Sequence, residues 1–275
     1  MEGSPIKIVP ALLLLAFGNS AFAAPPSHLY TVTVDYSMSW LWVEARFDNT
    51  VDSVTARSKN AGKYLTDARS CDRDADIRMR NRRMMLPEGG IRCLNYTVYL
   101  KRAAEEYRNS RELVPQNIVV SPSYWLWRPE LYDETEIEVQ FRLPENVIVS
   151  VPWQQVDDDA TRYRIGRSPE SAYAPAIFGE FDYRELEVPG STLRVTLLQT
   201  RAAMNNDAIM DWVQATANDI SLAYGLFPNP SPQVVIIPVT SRRSSSPVPF
   251  GRVIRDGGET VELFINPTMP QEDFL

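Results

Sequence analysis

Histidine is almost missing from this chain: its 275 residues hold one, His28. A Ser-His-Asp or Cys-His centre needs a histidine beside its nucleophile, and a catalytic zinc site commonly uses two or three. One histidine near the start of the chain, read as an ordinary surface residue, therefore supplies neither, and no complete hydrolytic centre is expected within these residues. Basic residues are also in deficit, with 28 Lys and Arg against 35 Asp and Glu for a net charge of −7. A broad basic surface, and with it a nucleic-acid partner, is not expected on that count, which leaves room for a local basic patch only. Cysteine is scarce as well, with two residues, Cys71 and Cys93. No C-x-x-C pair is present, so redox chemistry of that type is not expected. Long apolar runs are absent after the first two dozen residues, and P-loop, Rossmann glycine and H-E-x-x-H patterns are all lacking.

What is present begins with an export signal. Lys7 supplies the positive charge, Ile8 to Phe17 the apolar stretch and Ala21-Phe22-Ala23 an A-x-A cleavage site, so residues 1–23 read as a signal peptide. The run is shorter than the roughly 20 residues a spanning helix needs. The mature protein is expected to be secreted or periplasmic and not an integral membrane protein. In an oxidising compartment Cys71 and Cys93 read as a structural disulfide.

From residue 24 to residue 200 the text is strand-like. Tyr30, Val32, Val34 and Tyr36 alternate with Thr31, Thr33 and Asp35, and further short β-rich segments follow at Met38–Phe47, Arg92–Leu100, Asn117–Ser121, Thr135–Leu143, Val147–Val151, Ile177–Val188 and Thr192–Leu198. Proline, glycine, asparagine and aspartate punctuate them, which predicts a β-sandwich interrupted by one helix at Lys101–Asn109. Residues 201–275 change period. Ile209, Trp212, Val213, Ala217 and Ile220 recur at helical spacing up to Gly225; Gln233–Val239 reads as a buried strand, and Phe250–Arg255 with Thr260–Asn266 as a hairpin. The fold class is therefore mainly β, a sandwich followed by the opening of an α+β unit, with a boundary near Thr200. Thr268, Pro270 and the two acids after them look like a helix start with no body, which suggests a truncated chain.

Several motifs admit a chemical reading. Asp72-x-Asp74-x-Asp76 starts like a calcium loop, but Ile77 and Arg83 stand where glycine and glutamate are required. Arg78, Arg80, Arg82 and Arg83 form a basic cluster that is better read as a solvated face, with the three aspartates upstream to neutralise it. Trp40/Trp42 and Trp125/Trp127 could stack on sugars or a peptide if exposed. Leu41, Val43, Ala45 and Phe47 make the first of these strands apolar on both sides, so core packing is expected. Asn95-Tyr96-Thr97 is a glycosylation sequon, meaningful only in a eukaryotic secretory pathway. Asp157-Asp158-Asp159 and the other carboxylates do not by spacing alone identify the acid/base pair of a glycosidase.

The run Ile137-Glu138-Val139-Gln140-Phe141-Arg142-Leu143-Pro144-Glu145, then Val149-Ser150-Val151-Pro152-Trp153, Ala176-Ile177-Phe178-Gly179-Glu180-Phe181 and the helix–strand–hairpin order beyond Thr200 resemble the glycyl-aminopeptidase-like gluzincin metallopeptidases. The resemblance runs from Tyr96 to Leu275. It implies a sandwich domain before a thermolysin-like catalytic domain whose opening is residues 201–275, and a zinc cofactor held by an H-E-x-x-H helix and a further glutamate that this chain lacks. By the same likeness Phe250, Gly251, Arg252 and Val253 correspond to the strand that pairs with a peptide substrate. Gly258-Glu259 partly matches the Gly-x-x-Glu segment that meets a substrate amino terminus, although a plain hairpin turn accounts for the same residues. The resemblance thus implies the N-terminal part of a secreted zinc metallopeptidase, aminopeptidase-like, inactive as it stands, with no catalytic or metal residue of its own. The competing reading is a non-enzymatic exported binding module.

Overall fold

The computed structural model describes residues 27–73, 75, 77–80, 82–107, 114–129, 136–156, 159–165, 174–239, 246–255 and 259–269. Residues 1–26, read above as carrying an export signal, Asp74, Asp76, Asp157, Asp158 and residues 256–258 and 270–275 lie outside them. In chain order the strands are β1 (Ser27–Val34), β2 (Trp40–Val51), β3 (Ser53–Thr55), β4 (Leu65–Ser70), β5 (Arg78–Arg80), β6 (Arg83–Met85) and β7 (Ile91–Tyr99). After the short helix α1 (Leu100–Ala104) come β8 (Asn117–Val120), β9 (Glu136–Arg142), β10 (Ile148–Ser150), β11 (Gln154–Gln155), β12 (Arg162–Ile165) and β13 (Ala176–Gly179). The remainder is β14 (Asp182–Val188), β15 (Ser191–Leu197), the long helix α2 (Asn206–Tyr224), β16 (Gln233–Pro238), β17 (Phe250–Ile254) and β18 (Thr260–Ile265). The chain is mainly β, as its alternating segments require.

These elements stack in layers, and side-chain parity decides which layer each residue serves. A seven-stranded sheet, ordered β11-β12-β9-β1-β2-β7-β4, turns one face toward a three-stranded sheet, β10-β13-β8. Tyr30, Val32, Leu41, Val43, Val139 and Phe141 from the first meet Ile118, Val120 and Phe178 from the second in one apolar core. The alternate residues Val119 and Ile177 point the other way. They join Leu198, Val235, Ile237 and Phe264 of a five-stranded sheet, β14-β15-β16-β18-β17. Every residue of β8 and β13 is buried for this reason. On the far side of the five-stranded sheet, Val195, Val234 and Ile236 pack against Ile209, Met210, Val213 and Ala217 of α2. The Asn205 side chain caps α2 by accepting from the Ala208 N–H at 3.2 Å, and Gly225, at φ 86°, ends it.

Buried polar groups join the layers. Gln233 Nε2 donates to Ser150 Oγ at 2.9 Å, Thr196 Oγ1 to the same oxygen at 2.8 Å, and Thr260 Oγ1 to Gln233 Oε1 at 2.7 Å. Arg194 reaches out of β15 to donate to the carbonyls of Val151 and Trp153 at 3.1 and 2.8 Å. Each satisfied group avoids the desolvation cost of burial, so the network holds the two sheets in one register.

Some segments differ from their sequence expectation. Ile177–Val188 is two strands in different sheets, not one. At Gly179, φ is 144°, and a Cβ there would lie 1.9 Å from the Gln116 carbonyl oxygen, so the chain turns where only glycine fits. The hairpin β14–β15 hydrogen-bonds onward to β16, which joins residues 182–197 to the sheet that also contains 233–265. The expected helix over Lys101–Asn109 is shorter, with α1 ending at Ala104. The tryptophan expectation divides. Trp125 and Trp127 are buried, but they follow a 3-10 turn at Pro122–Tyr124 rather than lying on a strand. Trp42 is 48% exposed, because only the Leu41/Val43 side of β2 meets another layer.

His28 is also corrected: it is buried against Phe47, ring centroids 5.4 Å apart, and its Nδ1 accepts from the Asp48 N–H at 3.3 Å. Burial lowers its pKa below the ordinary 6.5, with the Asp48 charge opposing. The unfolded chain therefore binds the extra proton first. Stability contributed by neutral His28 is complete above about pH 6.5 and is lost as pH falls from there through the lowered folded value. Urea unfolding from about pH 7.5 down to about pH 5.5 is expected to show this decline in the natural chain and a flatter profile in His28→Phe.

Cys71 and Cys93 form the expected disulfide, Cα–Cα 5.2 Å, joining the end of β4 to β7 across 22 residues. Replacing both cysteines by serine is expected to cost about 3 kcal/mol, read as a lower urea midpoint. An unchanged midpoint would show that the loop is held instead by Asp72, whose carboxylate accepts from the Arg92 N–H at 2.8 Å.

Candidate functional site

The candidate site is the free edge of the five-stranded sheet. In the order β14-β15-β16-β18-β17, the central strands β15, β16 and β18 run parallel, and β17 returns antiparallel to β18. Phe250 pairs with Phe264, Gly251 with Leu263, Arg252 with Glu262 and Val253 with Val261. The other side of β17 has no strand beside it among the described residues, so its outward N–H and C=O groups form an open row.

Parity again separates the side chains. Phe250 is 54% exposed, with its ring centroid 5.3 Å from that of Phe264. Val253, on the opposite side, is 58% exposed and pairs with Val261. Gly251 keeps the strand close to its neighbour, since a Cβ there would meet Leu263 Cδ2 at 3.3 Å. The Arg252 guanidinium is committed inward: Nε donates to Glu262 Oε2 at 2.5 Å, and the cation lies 6.0 Å from the Phe264 ring centre. Burial pulls the Arg252 pKa down, but the Glu262 hydrogen bond and charge outweigh it and leave a net rise. Nearby, burial and then the Glu262 charge raise the Tyr107 phenol.

Glu259 lies one residue before β18, beside the Ile254 end of β17 rather than its Phe250 end. Its carboxylate accepts from the Asn229 side-chain amide, and its carbonyl accepts from the Gln233 N–H at 2.9 Å. Phe250, Gly251, Arg252 and Val253 are thus contiguous on the edge, while the Glu259 carboxylate is tied to the loop before β16. Cys71 and Cys93 belong to the seven-stranded sheet and have no part in this edge. Among the described residues no three His, Cys, Asp or Glu side chains gather where they could hold a metal ion. No helix among those residues is long and apolar enough to cross a membrane. Arg78, Arg80, Arg82 and Arg83 are exposed, three of them on the small sheet β3-β6-β5.

No protein-family model and no curated protein matches this chain. Solved structures do. An aminopeptidase N family protein from Idiomarina loihiensis superposes with a TM-score of 0.60 at 12% identity, over 87% of this chain and 42% of that one. An M1 zinc metallopeptidase from Deinococcus radiodurans gives a TM-score of 0.44 at 10% identity, over 89% of this chain and 61% of its own. Its E323A mutant, bound to a Tyr-Ser-Ala substrate, gives 0.44 at 11%, over 90% and 60%. The chain therefore spans less than two thirds of each of these proteins, and the fold it shares with the first of them is the one that the sequence resemblance led us to expect.

Proposed function

We propose that this chain is the N-terminal part of an exported, zinc-dependent metallopeptidase of aminopeptidase type, and that β17 is the strand on which the peptide substrate lies. The observation that carries this reading is the fold match at TM-score 0.60 over 87% of the chain, to a protein of which the chain covers 42%. In this reading 24–200 hold the sandwich domain and 201–275 open the catalytic one, with the β14–β15 hairpin of the first carried into the sheet of the second. An extended peptide adds to β17 as a further strand, main-chain groups supplying affinity and the exposed Phe250 and Val253 contacting alternate side chains.

Zinc does not fit the residues present: the one histidine is buried in the sandwich, its Nδ1 engaged by Asp48, and no ligand cluster exists among the described residues. No step through the metal is therefore derived for these residues. The chain alone is proposed to be inactive. The test is the coding sequence beyond Leu275, which should continue in frame to an H-E-x-x-H helix, together with an assay of the longer product. That product is expected to hydrolyse aminoacyl substrates in a zinc-dependent manner, while the 275-residue chain, freed of contaminating protease, does not. Zinc-dependent hydrolysis by the short chain, or the absence of that motif downstream, overturns the proposal.

A further inference from the structure

The sandwich carries a second surface, apart from the β17 edge. The outer face of the seven-stranded sheet carries an open groove of about 500 Å³ across β9, β1, β2, β7 and β4. Four strand spacings make its floor about 19 Å long. Register aligns the lining in two rows, one from Thr31 through Glu44 and Asn95 to Arg69, the other from Arg142 through Trp42 to Asp67. In the middle of this polar floor stands the half-exposed indole of Trp42.

We propose that this groove binds a neutral oligosaccharide, with Trp42 as the surface on which a sugar ring stacks. Three observations select that chemistry. The lining charges balance, Glu44 and Asp67 against Arg69 and Arg142. Three of the four are already engaged locally, Glu44 with Arg46 Nε at 2.6 Å and Asp67 with Arg69 Nε at 3.4 Å. An anionic or a cationic ligand would each meet like charge, whereas a neutral one meets none. Second, β9, β1, β2 and β7 each have a strand on both sides, so their main-chain groups are spent on the ladder. A peptide binding a sheet by strand addition needs an edge, and this floor has one only at its outer end, β4, while Trp42 stands on the central strand. Third, what the floor does offer is the hydroxyls of Thr31, Thr33 and Thr97, the Asn95 amide and an aromatic face. That is a set of short donors and acceptors around one stacking platform, matching sugar hydroxyls and the apolar face of a pyranose ring.

The test is calorimetric and fluorescence titration of the chain, produced in a bacterial periplasm so that the disulfide forms and Asn95 stays unmodified. The probes are cellohexaose, maltohexaose and N-acetylchitohexaose at millimolar concentration. At least one is expected to bind and to change tryptophan emission. Trp42→Ala should weaken binding about tenfold or more, and Asn95→Leu, which fills the floor from β7, should weaken it as well. Trp212→Phe, on the remote helix α2, should leave it unchanged. Far-UV circular dichroism checks that the variants keep the sheet. Binding of none of the three sugars, binding indifferent to Trp42→Ala, or displacement of the sugar by a neutral peptide overturns the proposal.

Discussion

Phe141→Ala is expected to be the most damaging single change in the sandwich, costing about 4 kcal/mol. The ring is buried on β9 and lies against four aromatic neighbours: Trp153, stacked at 6.3 Å between centroids, Phe178 at 5.7 Å, Tyr163 at 5.9 Å and Trp125 at 6.4 Å. Only Tyr163 is on a strand of its own sheet; Trp153 lies in the segment between β10 and β11. Phe178 comes from β13 across the core, and Trp125 from the segment after the Pro122–Tyr124 turn. Deleting the ring removes its transfer free energy and leaves a void whose walls belong to separate layers, so no single backbone shift closes it. For a chain of this size the loss corresponds to a fall in Tm of about 8–16 °C. Thermal unfolding followed by near-UV circular dichroism measures both the shift and the change in aromatic packing. A fall of less than about 3 °C would mean that the surrounding rings collapse into the space.

Phe141 also illustrates how much of the fold was legible in the sequence. Its strand was readable because Ile137, Val139 and Phe141 alternate with Glu138, Gln140 and Arg142, and one face of that pattern has a single sensible destination. The buried run of β16 and the hairpin β17–β18 were readable in the same way. Polar strands were not. Leu65–Ser70 carries two charges and lies at a sheet edge, so its sequence pattern is that of a loop, and it becomes β4 only because β7 offers it a ladder. Nothing local distinguishes Arg194, Thr196, Gln233 or Thr260 from surface residues. Their partners lie dozens of residues away in the chain, for Arg194, Thr196 and Gln233 in another layer and for Thr260 on the neighbouring strand, and only the assembled stack buries them. Of the candidate site, the strand Phe250–Val253 was legible from its place in the helix–strand–hairpin order, but the inward commitment of Arg252 was not. The Trp42 groove had a signal that was outweighed. Trp40 and Trp42 lie on the parity opposite to Leu41, Val43 and Ala45, and that strand has a neighbouring layer on only one side.

The inward commitment of Arg252 sets the second large effect. Glu262 is 0% exposed in the central part of the five-stranded sheet, and the Arg252 guanidinium is its one ion-pair partner among the described residues. Arg252→Ala leaves that carboxylate buried and uncompensated, with the Tyr107 phenol close by, and is expected to cost about 3 kcal/mol. Glu262→Gln should cost less, about 1 kcal/mol, because the Arg252 side chain is 46% exposed and its released charge turns to water. The double replacement Arg252→Leu with Glu262→Leu should recover much of the larger loss, since it removes both charges from the interface. Urea unfolding of Arg252→Ala, Glu262→Gln and the two combined closes a double-mutant cycle that measures the coupling directly. The consequence for the edge is mechanical. With the pair intact, β17 is held to β18 from beneath by an ion pair and by Phe250 over Phe264, while its outward row of N–H and C=O groups stays open. Without it, Arg252→Ala should loosen β17 selectively, seen as faster amide hydrogen exchange at Gly251–Ile254 than in β15 or β16. Equal acceleration in all three strands would instead mean that Glu262 stabilises the whole sheet and that the edge has no separate anchor.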